Sequence, residues 1–184
     1  MNYAPFRQLY TPRLILRKLR AEDAPQYFQR LAGSSRVTEH MLFRTHQDLS
    51  ESEASIKKAL CRYEEGRFYR WGIELPGSGL IGMIDLLAFD EQGESCSFAY
   101  MLGEDFWGRG YATEAVKAVL DFGFREMELK RIHADHFAEN PDSGAVMRKA
   151  GMRYVETLPE KYEKDGCKHD APQYVITRNM WQSR

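Results

Sequence analysis

A run of nine residues, Trp107-Gly108-Arg109-Gly110-Tyr111-Ala112-Thr113-Glu114-Ala115, has the composition of an anion-binding turn. It follows a strand-like segment, 94–102, and precedes apolar residues at helical spacing, which begin a helix close to Tyr111. The first turn of a helix leaves four N–H groups without intrahelical partners and carries about half a positive charge, which attracts phosphate. Gly108 and Gly110 let the backbone approach such a ligand closely. The run therefore predicts a phosphate site, although a glycine-containing turn that only starts a core helix has the same pattern.

The run differs from the two common nucleotide-binding loops. It lacks the Lys-Ser or Lys-Thr pair that ends the phosphate loop of NTPases, and it lacks the third glycine of the dinucleotide fingerprint. A nucleotide-binding module is therefore the least favoured interpretation of this run.

The composition is that of a globular protein without a dominant charge. The 184 residues include 26 Lys plus Arg and 27 Asp plus Glu, for a net charge of -1, so no basic field attracts nucleic acid or an anionic membrane. The three cysteines lack the spacing of a zinc site or a disulfide framework. Neither a signal peptide nor an apolar run of about 20 residues, as a membrane span requires, is evident. We expect one domain, residues 1–184, in the cytoplasm, with neither nucleic acid nor a membrane as partner.

The order of predicted elements is that of a mixed α/β domain. Ser50 and Glu53 form a capping box at the start of a helix, whereas the pattern of segment 33–48 favours neither helix nor strand. Short turns join three successive strands as an antiparallel meander. Periodicity predicts strands at 13–19, 68–75, 80–89, 94–102, 131–137, 152–158 and 173–178, and helices at 23–31, 50–66, 111–126 and 143–149.

Two motifs resemble the GNAT superfamily of acetyl-CoA-dependent N-acetyltransferases. The glycine-containing run is similar to the family pattern Gln/Arg-x-x-Gly-x-Gly/Ala at Gly110 and Ala112, with Trp107 where Gln or Arg is usual. Residues 140–152 are similar to the family's Asn-x-x-Ser followed by Lys-x-Gly-Phe. Trp107 and the opening run 9–17 narrow the resemblance to the branch of the ribosomal-protein N-terminal acetyltransferases of the RimJ and RimL type. The resemblance spans nearly the whole chain.

The resemblance implies a fold and a co-substrate. The fold is α/β, a central twisted and mostly antiparallel sheet of about seven strands flanked by helices. Acetyl-CoA is the co-substrate, without a metal. Its pantetheine arm pairs with a strand where two neighbouring strands splay apart, and its pyrophosphate lies at the helix start. The residues that the resemblance assigns to this ligand are Tyr100, Met101, Leu102, Trp107, Gly108, Arg109, Gly110, Tyr111, Ala112, Thr113, Asn140 and Ser143.

Transfer of an acetyl group to an amine requires an acid that protonates the departing thiolate. Many similar proteins place a tyrosine four residues after the position of Ser143, where this chain has Met147, which cannot donate a proton. Ser143 is the best remaining acid. The same serine also fits the N-cap of the helix that follows it, and the two roles are compatible.

The reaction also needs a base, because the amine is mostly protonated at pH 7. The resemblance to the ribosomal branch indicates a glutamate in the segment after the strand that follows Gly151, where Glu160 and Glu163 lie, although the segment 159–165 also has the composition of a solvated charged loop. Glu39 and His40 are alternatives that could line an acceptor pocket. The segments 33–50 and 158–171 are expected to shape that pocket.

The sequence thus predicts an enzyme that moves an acetyl group from acetyl-CoA to a primary amine, on a protein N-terminus or a small molecule, by direct transfer in a ternary complex. An acyl-CoA-binding sensor or scaffold without turnover is the alternative. Cys96 could form a covalent intermediate, but no cationic residue nearby in sequence activates it. Strand alternation separates His133 and Asp135 from His136, which argues against a metal site. The resemblance is compatible with a homodimer, for which the sequence carries no signal.

Overall fold

A continuous sheet forms the framework of the protein in the computed structural model, which describes residues 4–66 and 68–183. Residues 1–3, 67 and 184, which the single-domain prediction includes, lie outside the described residues. The strands are β1 (Leu9–Tyr10), β2 (Ile15–Arg17), β3 (Tyr69–Leu75), β4 (Gly79–Leu87), β5 (Ser95–Leu102), β6 (Arg131–Asp135), β7 (Arg153–Lys164) and β8 (Cys167–Thr177).

The sheet order is β1-β2-β3-β4-β5-β6-β8-β7, and every pair is antiparallel except β5 with β6. The predicted mixed α/β fold and the meander of three strands are confirmed. In the described parts of the chain the sheet has eight strands rather than about seven, because the two residues of β1 add a short edge strand.

The helices are α1 (Ala24–Tyr27), α2 (Ser35–Thr38), α3 (Leu49–Tyr63), α4 (Tyr111–Arg125), α5 (Pro141–Lys149) and α6 (Arg178–Gln182). Turns of 3-10 and π type extend α1 over residues 21–32, close to the predicted helix. The apolar stripe of α4 and the buried Met147 of α5 pack in one apolar cluster, and α1 and α3 pack in another with Leu80, Met83 and Met101. No helix in these ranges is long and apolar enough to cross a membrane.

The capping box predicted at Ser50 and Glu53 is wrong. Helix α3 begins at Leu49, and the carboxylate of Asp48 accepts a hydrogen bond of 3.2 Å from the backbone N–H of Glu51. The hydroxyl of Ser50 donates to the same carboxylate at 2.6 Å. Asp and Ser are equally good N-caps, so the serine supports a cap that the preceding aspartate provides.

The charged loop predicted at 159–165 is also wrong, because this segment belongs to a long hairpin of β7 and β8. The two-residue turn Asp165-Gly166 joins the strands, with φ angles of +51° and +77°. Asp-Gly is a preferred pair for the hairpin turn in which both central residues have positive φ. A bulge between Leu158 and Tyr162 shifts the register, and the high charge of β7 hides its alternation.

The parallel strands β5 and β6 pair over only three residues each. The register joins Ser95, Cys96 and Ser97 to residues 131, 132 and 133. Beyond this point β5 continues to Leu102 and remains paired with β4 on its other side. Residues 98–102 therefore present an open side to β6, and the two strands enclose a gap, as the resemblance implies.

Candidate active site

Two cavities meet at the gap between β5 and β6. The first, which we call the α4 cavity, has a volume of about 420 Å³ and lies between the end of β5 and the starts of α4 and α5. The second, the α3 cavity, has a volume of about 490 Å³ and lies among α3, β3, β4 and β6. The residues that line both cavities are His40, Met41, Tyr100, Met101, Asn140 and Ser143. A reaction between molecules held in the two cavities would take place at these shared residues.

The glycine-containing run forms one end of the α4 cavity. Gly110 is the N-cap of α4, with φ of +81°, and Gly108 has φ of +71°. Both values lie in the left-handed region, which costs other residues about 1 kcal/mol or more. The first-turn N–H groups of α4 have no intrahelical acceptors. The turn thus brings backbone donors and the positive end of a 15-residue helix to the cavity wall.

All but one of the residues predicted to hold the cofactor line the α4 cavity. The exception is Arg109, whose side chain is exposed and whose carbonyl accepts a hydrogen bond of 3.0 Å from the guanidinium of Arg13. The residues that do line it are Tyr100, Met101, Leu102, Trp107, Gly108, Gly110, Tyr111, Ala112, Thr113, Asn140 and Ser143.

Glu114 ties the start of α4 to the turn between β1 and β2. Its carboxylate accepts hydrogen bonds from the Thr11 hydroxyl (2.6 Å), the Arg13 backbone N–H (2.9 Å) and the Arg13 Nε (2.7 Å). The Arg13 guanidinium also lies 4.5 Å from the centre of the Tyr111 ring. Burial opposes ionisation of Glu114, but these hydrogen bonds outweigh it and lower its pKa. The run 9–17, which the sequence singled out by resemblance, therefore positions the cavity wall.

Trp107 holds the turn to the end of β5. Its indole Nε1–H donates a 2.7 Å hydrogen bond to the carbonyl of Leu102. The side chain is 43% exposed, so it acts as a surface tether rather than as part of the core.

The helix cap of α5 is Asn140 rather than Ser143. The Asn140 Oδ1 accepts a hydrogen bond of 3.4 Å from the Ser143 backbone N–H, which leaves the Ser143 hydroxyl available. The Tyr100 hydroxyl donates to this Oγ at 3.2 Å. Burial raises the pKa of Tyr100 to about 12, against the opposing effect of its hydrogen bond to Ser143. A protonated phenol and a serine hydroxyl therefore stand together where the two cavities meet.

The candidate bases lie in different places. Glu160 is exposed, pairs with Lys168 at 2.6 Å and lines neither cavity. Glu163 is also exposed and lines neither. Glu39 lines the α4 cavity. His40 lines both cavities, with its ring edge-on to that of Phe137 at 5.7 Å.

The segment that carries Glu39 and His40 is held by the β7–β8 hairpin. The Lys164 ammonium donates hydrogen bonds to the backbone carbonyls of Thr38 and Met41, the latter at 2.8 Å. The segments 33–50 and 158–171 therefore meet, and Tyr162 of the hairpin lines the α3 cavity.

Sequence reasoning missed the ion pair of the α3 cavity. Arg70 on β3 donates to Asp85 on β4 through Nε at 2.8 Å and Nη2 at 2.6 Å. Burial opposes the charge of Arg70, but Asp85 outweighs it and raises the pKa of the guanidinium. The two residues are directly opposite each other in the antiparallel register, so only a correct pairing of the strands could have revealed them.

His136 was also missed as a residue of this cavity. Its Nδ1 is 2.7 Å from the carbonyl of Phe137, which assigns the proton to Nδ1 because a carbonyl can only accept. Its Nε2 is sealed from solvent without a partner among the described residues, and a Cβ added to Gly144 would lie 2.7 Å from it. No group of three potential metal ligands occurs in residues 4–66 and 68–183.

Cys96 lies on β5, two residues before Phe98 of the α3 cavity, but it is not itself a lining residue. Its side chain is buried, and burial together with the nearby Asp90 raises the pKa of the thiol to about 12. It lines neither the α4 nor the α3 cavity, so an incoming thioester does not reach it.

Residues 13–153 match the family model described as the Acetyltransferase (GNAT) domain. The chain belongs to the GNAT acetyltransferase family. Among its GNAT relatives, the uncharacterized N-acetyltransferase p20 of Bacillus licheniformis is 32% identical over 157 residues, which cover 85% of this chain and 87% of p20. The family prediction made from the two motifs is confirmed.

Solved structures of GNAT acetyltransferases share the fold. RimL, the ribosomal L7/L12 alpha-N-protein acetyltransferase, in complex with coenzyme A, gives a TM-score of 0.82 at 17% identity and covers 93% of this chain and 98% of RimL. Spermidine N-acetyltransferase from Vibrio cholerae, in complex with CoA and spermine, gives a TM-score of 0.79 at 20% identity. The match covers 94% of this chain and 99% of the spermidine enzyme. At these identities the matches show that the fold is shared.

Proposed function

We propose that this protein moves the acetyl group of acetyl-CoA to a primary amine by direct attack within a ternary complex. The observation that carries the proposal is the meeting of the two cavities at Tyr100, Asn140 and Ser143. One cavity ends in a helix N-terminus suited to phosphate, and the other is a second entrance for an acceptor. A donor and an acceptor bound from opposite sides would thus meet without exchanging places.

The α4 cavity fits acetyl-CoA in three places. Backbone groups of residues 108–113 would bind the pyrophosphate. The open side of β5 at residues 100–102 would pair with the amide groups of the pantetheine arm, as a further strand does. Asn140 uses Oδ1 as a helix cap, which leaves its NH₂ group free to donate to the same arm. CoA or acetyl-CoA is present in GNAT structures with this fold.

Ser143 is proposed as the acid. When the amine nitrogen bonds to the carbonyl carbon and the C–S bond breaks, the thiolate would take the Ser143 hydroxyl proton. Because the Tyr100 hydroxyl donates to Ser143 Oγ, the proton of Ser143 itself is free to point at the sulfur, and Tyr100 can restore it afterwards. Ser143 and Tyr100 together supply the proton that Met147 cannot donate. A proton donor at the junction of the cavities argues against a sensor without turnover.

His40 is proposed as the base, ahead of Glu39. It borders both cavities, and an imidazole is the side chain that most often acts as a general base. Glu160, the glutamate that the resemblance indicates, would have to release Lys168 and move to reach the junction. Direct transfer rather than a ping-pong mechanism is supported by the burial and raised pKa of Cys96.

The experiment is acetyl transfer to a panel of small amines and peptide N-termini, with free thiol and product mass measured together. Acceptor-dependent thiol release from the wild type, lost in Ser143→Ala and retained in Cys96→Ala, is expected. Tight acetyl-CoA binding without release for any amine would refute the proposal in favour of the sensor. An acetylated cysteine trapped in the absence of acceptor would refute direct transfer.

The location and oligomeric state remain predictions. Cys61, Cys96 and Cys167 are free thiols in the structure, which is consistent with the proposed cytoplasmic location, and cell fractionation tests it. A homodimer is testable by sedimentation velocity. RimL acts on a ribosomal protein, by its name, and the spermidine enzyme was solved with spermine, so these GNAT proteins do not select one acceptor.

A further inference from the structure

The α3 cavity carries an excess of positive charge at one end. From this charge and from the rings that line the cavity, we propose that the acceptor is a small primary amine with an anionic group at the far end of an apolar or aromatic body. The anionic group binds Lys58 and Arg62, and the amine lies at the junction with the α4 cavity. The inference rests on the proposed acetyl transfer and names its substrate class.

The carboxylates of the cavity are already neutralised. Asp85 and Asp135 line it. Asp85 receives two hydrogen bonds from Arg70, at 2.8 Å and 2.6 Å. Asp135 receives the Lys161 ammonium on one oxygen and the Tyr162 hydroxyl on the other. Neither carboxylate is left unpaired to hold a second ammonium group of a ligand.

The two cations that line the cavity from α3 have no such partners. Lys58 and Arg62 line it from α3, four residues apart and so on one face of the helix. Within residues 4–66 and 68–183, neither forms an ion pair with a carboxylate. The Arg62 guanidinium lies 4.2 Å from the centre of the Phe68 ring, which orients it. Both residues are exposed, so they are solvated until an anionic ligand replaces the water, and Arg binds carboxylates in a bidentate manner.

The space between the cations and the junction suits an aromatic body. A cavity of about 490 Å³ has the size of a small-molecule site. The rings that line it are those of Tyr27, Phe43, Phe68, Phe98, Tyr100, Phe137 and Tyr162. A linear polyamine would place its additional charges near Lys58 and Arg62, where repulsion disfavours it. The charge of the cavity therefore separates this protein from a spermidine acetyltransferase.

The test compares two acceptors with the same amine and ring, 4-(2-aminoethyl)benzoate and 4-(2-aminoethyl)benzamide, with spermidine as the polycation. We expect kcat/KM for the benzoate to exceed that for the benzamide by about 3- to 10-fold at low salt, since each exposed charge pair contributes little alone and two cations act together on one carboxylate. Added salt should reduce the ratio. A pentapeptide with an acidic second residue is a further acceptor. Its kcat/KM, compared with that of the benzoate, tests whether a protein N-terminus supplies the amine and the anionic group better.

The double variant Lys58→Glu/Arg62→Glu should bring the benzoate-to-benzamide ratio of kcat/KM to one or below. Lys57→Glu is the matched control, because Lys57 is exposed on the same helix and lines neither cavity; it should keep the wild-type ratio. Equal kcat/KM for benzoate and benzamide, a preference for spermidine or for the peptide, or an unchanged ratio in the double variant would overturn the inference.

Binding measured by calorimetry in the presence of CoA separates this inference from the proposed function. Tighter binding of the benzoate than of the benzamide, without acetyl transfer to either, would refute the transferase and keep the anion site. Transfer to both amines with equal affinity would refute the anion site and keep the transferase.

Discussion

The α4 cavity and the α3 cavity are built from different parts of the polypeptide. Backbone forms much of the α4 cavity, through the end of β5 and the turn at 107–113. Side chains form the α3 cavity, and they come from α1, α3, α5, five strands and the segment 40–46. A site made of backbone needs particular φ angles, so it leaves glycines in the sequence. A site made of side chains leaves no such record, and its chemistry can vary without loss of the fold.

Removal of the Ser143 hydroxyl, where the two cavities meet, should have the largest effect on turnover. In Ser143→Ala we expect kcat to fall by about 10²–10⁴-fold, the range for a proton-transfer group, with little change in either KM. Steady-state kinetics with both substrates varied provides the measurement. Ser78→Ala, in the turn between β3 and β4, is a control away from both cavities. A loss confined to the KM of one substrate would place Ser143 in one cavity rather than at their junction.

Strain in the turn should affect the α4 cavity alone. Gly110→Ala forces alanine to φ of about +81°, at a cost of roughly 1–2 kcal/mol. We expect the Kd for acetyl-CoA, from calorimetry, to rise about 10-fold while the KM for the amine is unchanged. Gly77→Ala is matched, because Gly77 has φ of +82° and open space around it in a distant turn; it should lose similar stability and bind normally. Equal effects of the two variants on binding would contradict the assignment of the turn.

Release of the 35–48 segment should affect the α3 cavity more than the α4 cavity, although residues 36, 37 and 39–41 of the segment also line the α4 cavity. Lys164→Met removes the ammonium that binds the carbonyls of Thr38 and Met41. We expect the KM for the amine to rise about 3- to 10-fold, since hydrogen bonds to a charged group contribute about 1.5–3 kcal/mol and part is regained from water. The Kd for acetyl-CoA should rise by a smaller factor, because the turn at 107–113 is unchanged. Lys168→Met, on the partner strand, removes the exposed ion pair with Glu160 as the control.

The smallest effect is expected at Glu114, which joins the start of α4 to the turn between β1 and β2. Glu114→Gln weakens the contacts with Thr11 and Arg13, and because the Arg13 side chain is 45% exposed we expect a loss of at most about 1 kcal/mol of unfolding free energy. The folded-state pKa of Glu114 is lowered, so its contribution is complete above the usual glutamate pKa and is lost as the pH falls through the lowered value. Urea unfolding from pH 7 to pH 3 should show this decline in the wild type and less of it in the variant.

These differences explain how much the sequence could predict. Gly110 and Asn140 are positions that the backbone of the α4 cavity requires, and both were found together with the fold and the family. Arg70 and Asp85 meet only because two strands pair in one register, and Tyr100 reaches Ser143 across 43 residues. The Asp165-Gly166 pair is a hairpin-turn signal, but the charged residues around it have the composition of a solvated loop. Residues that meet through tertiary structure need the register and the packing, which no local pattern contains.

The short pairing between β5 and β6 has a consequence for how the sheet is exposed to other proteins. Sheet edges are sites of aggregation, because their unpaired backbone groups can accept a strand from another chain. Residues 98–102 of β5 form such an edge inside the molecule, where the walls of two cavities enclose it. The protein therefore keeps an unpaired strand available to a flexible, amide-containing ligand while neighbouring proteins in a crowded cell cannot add to it.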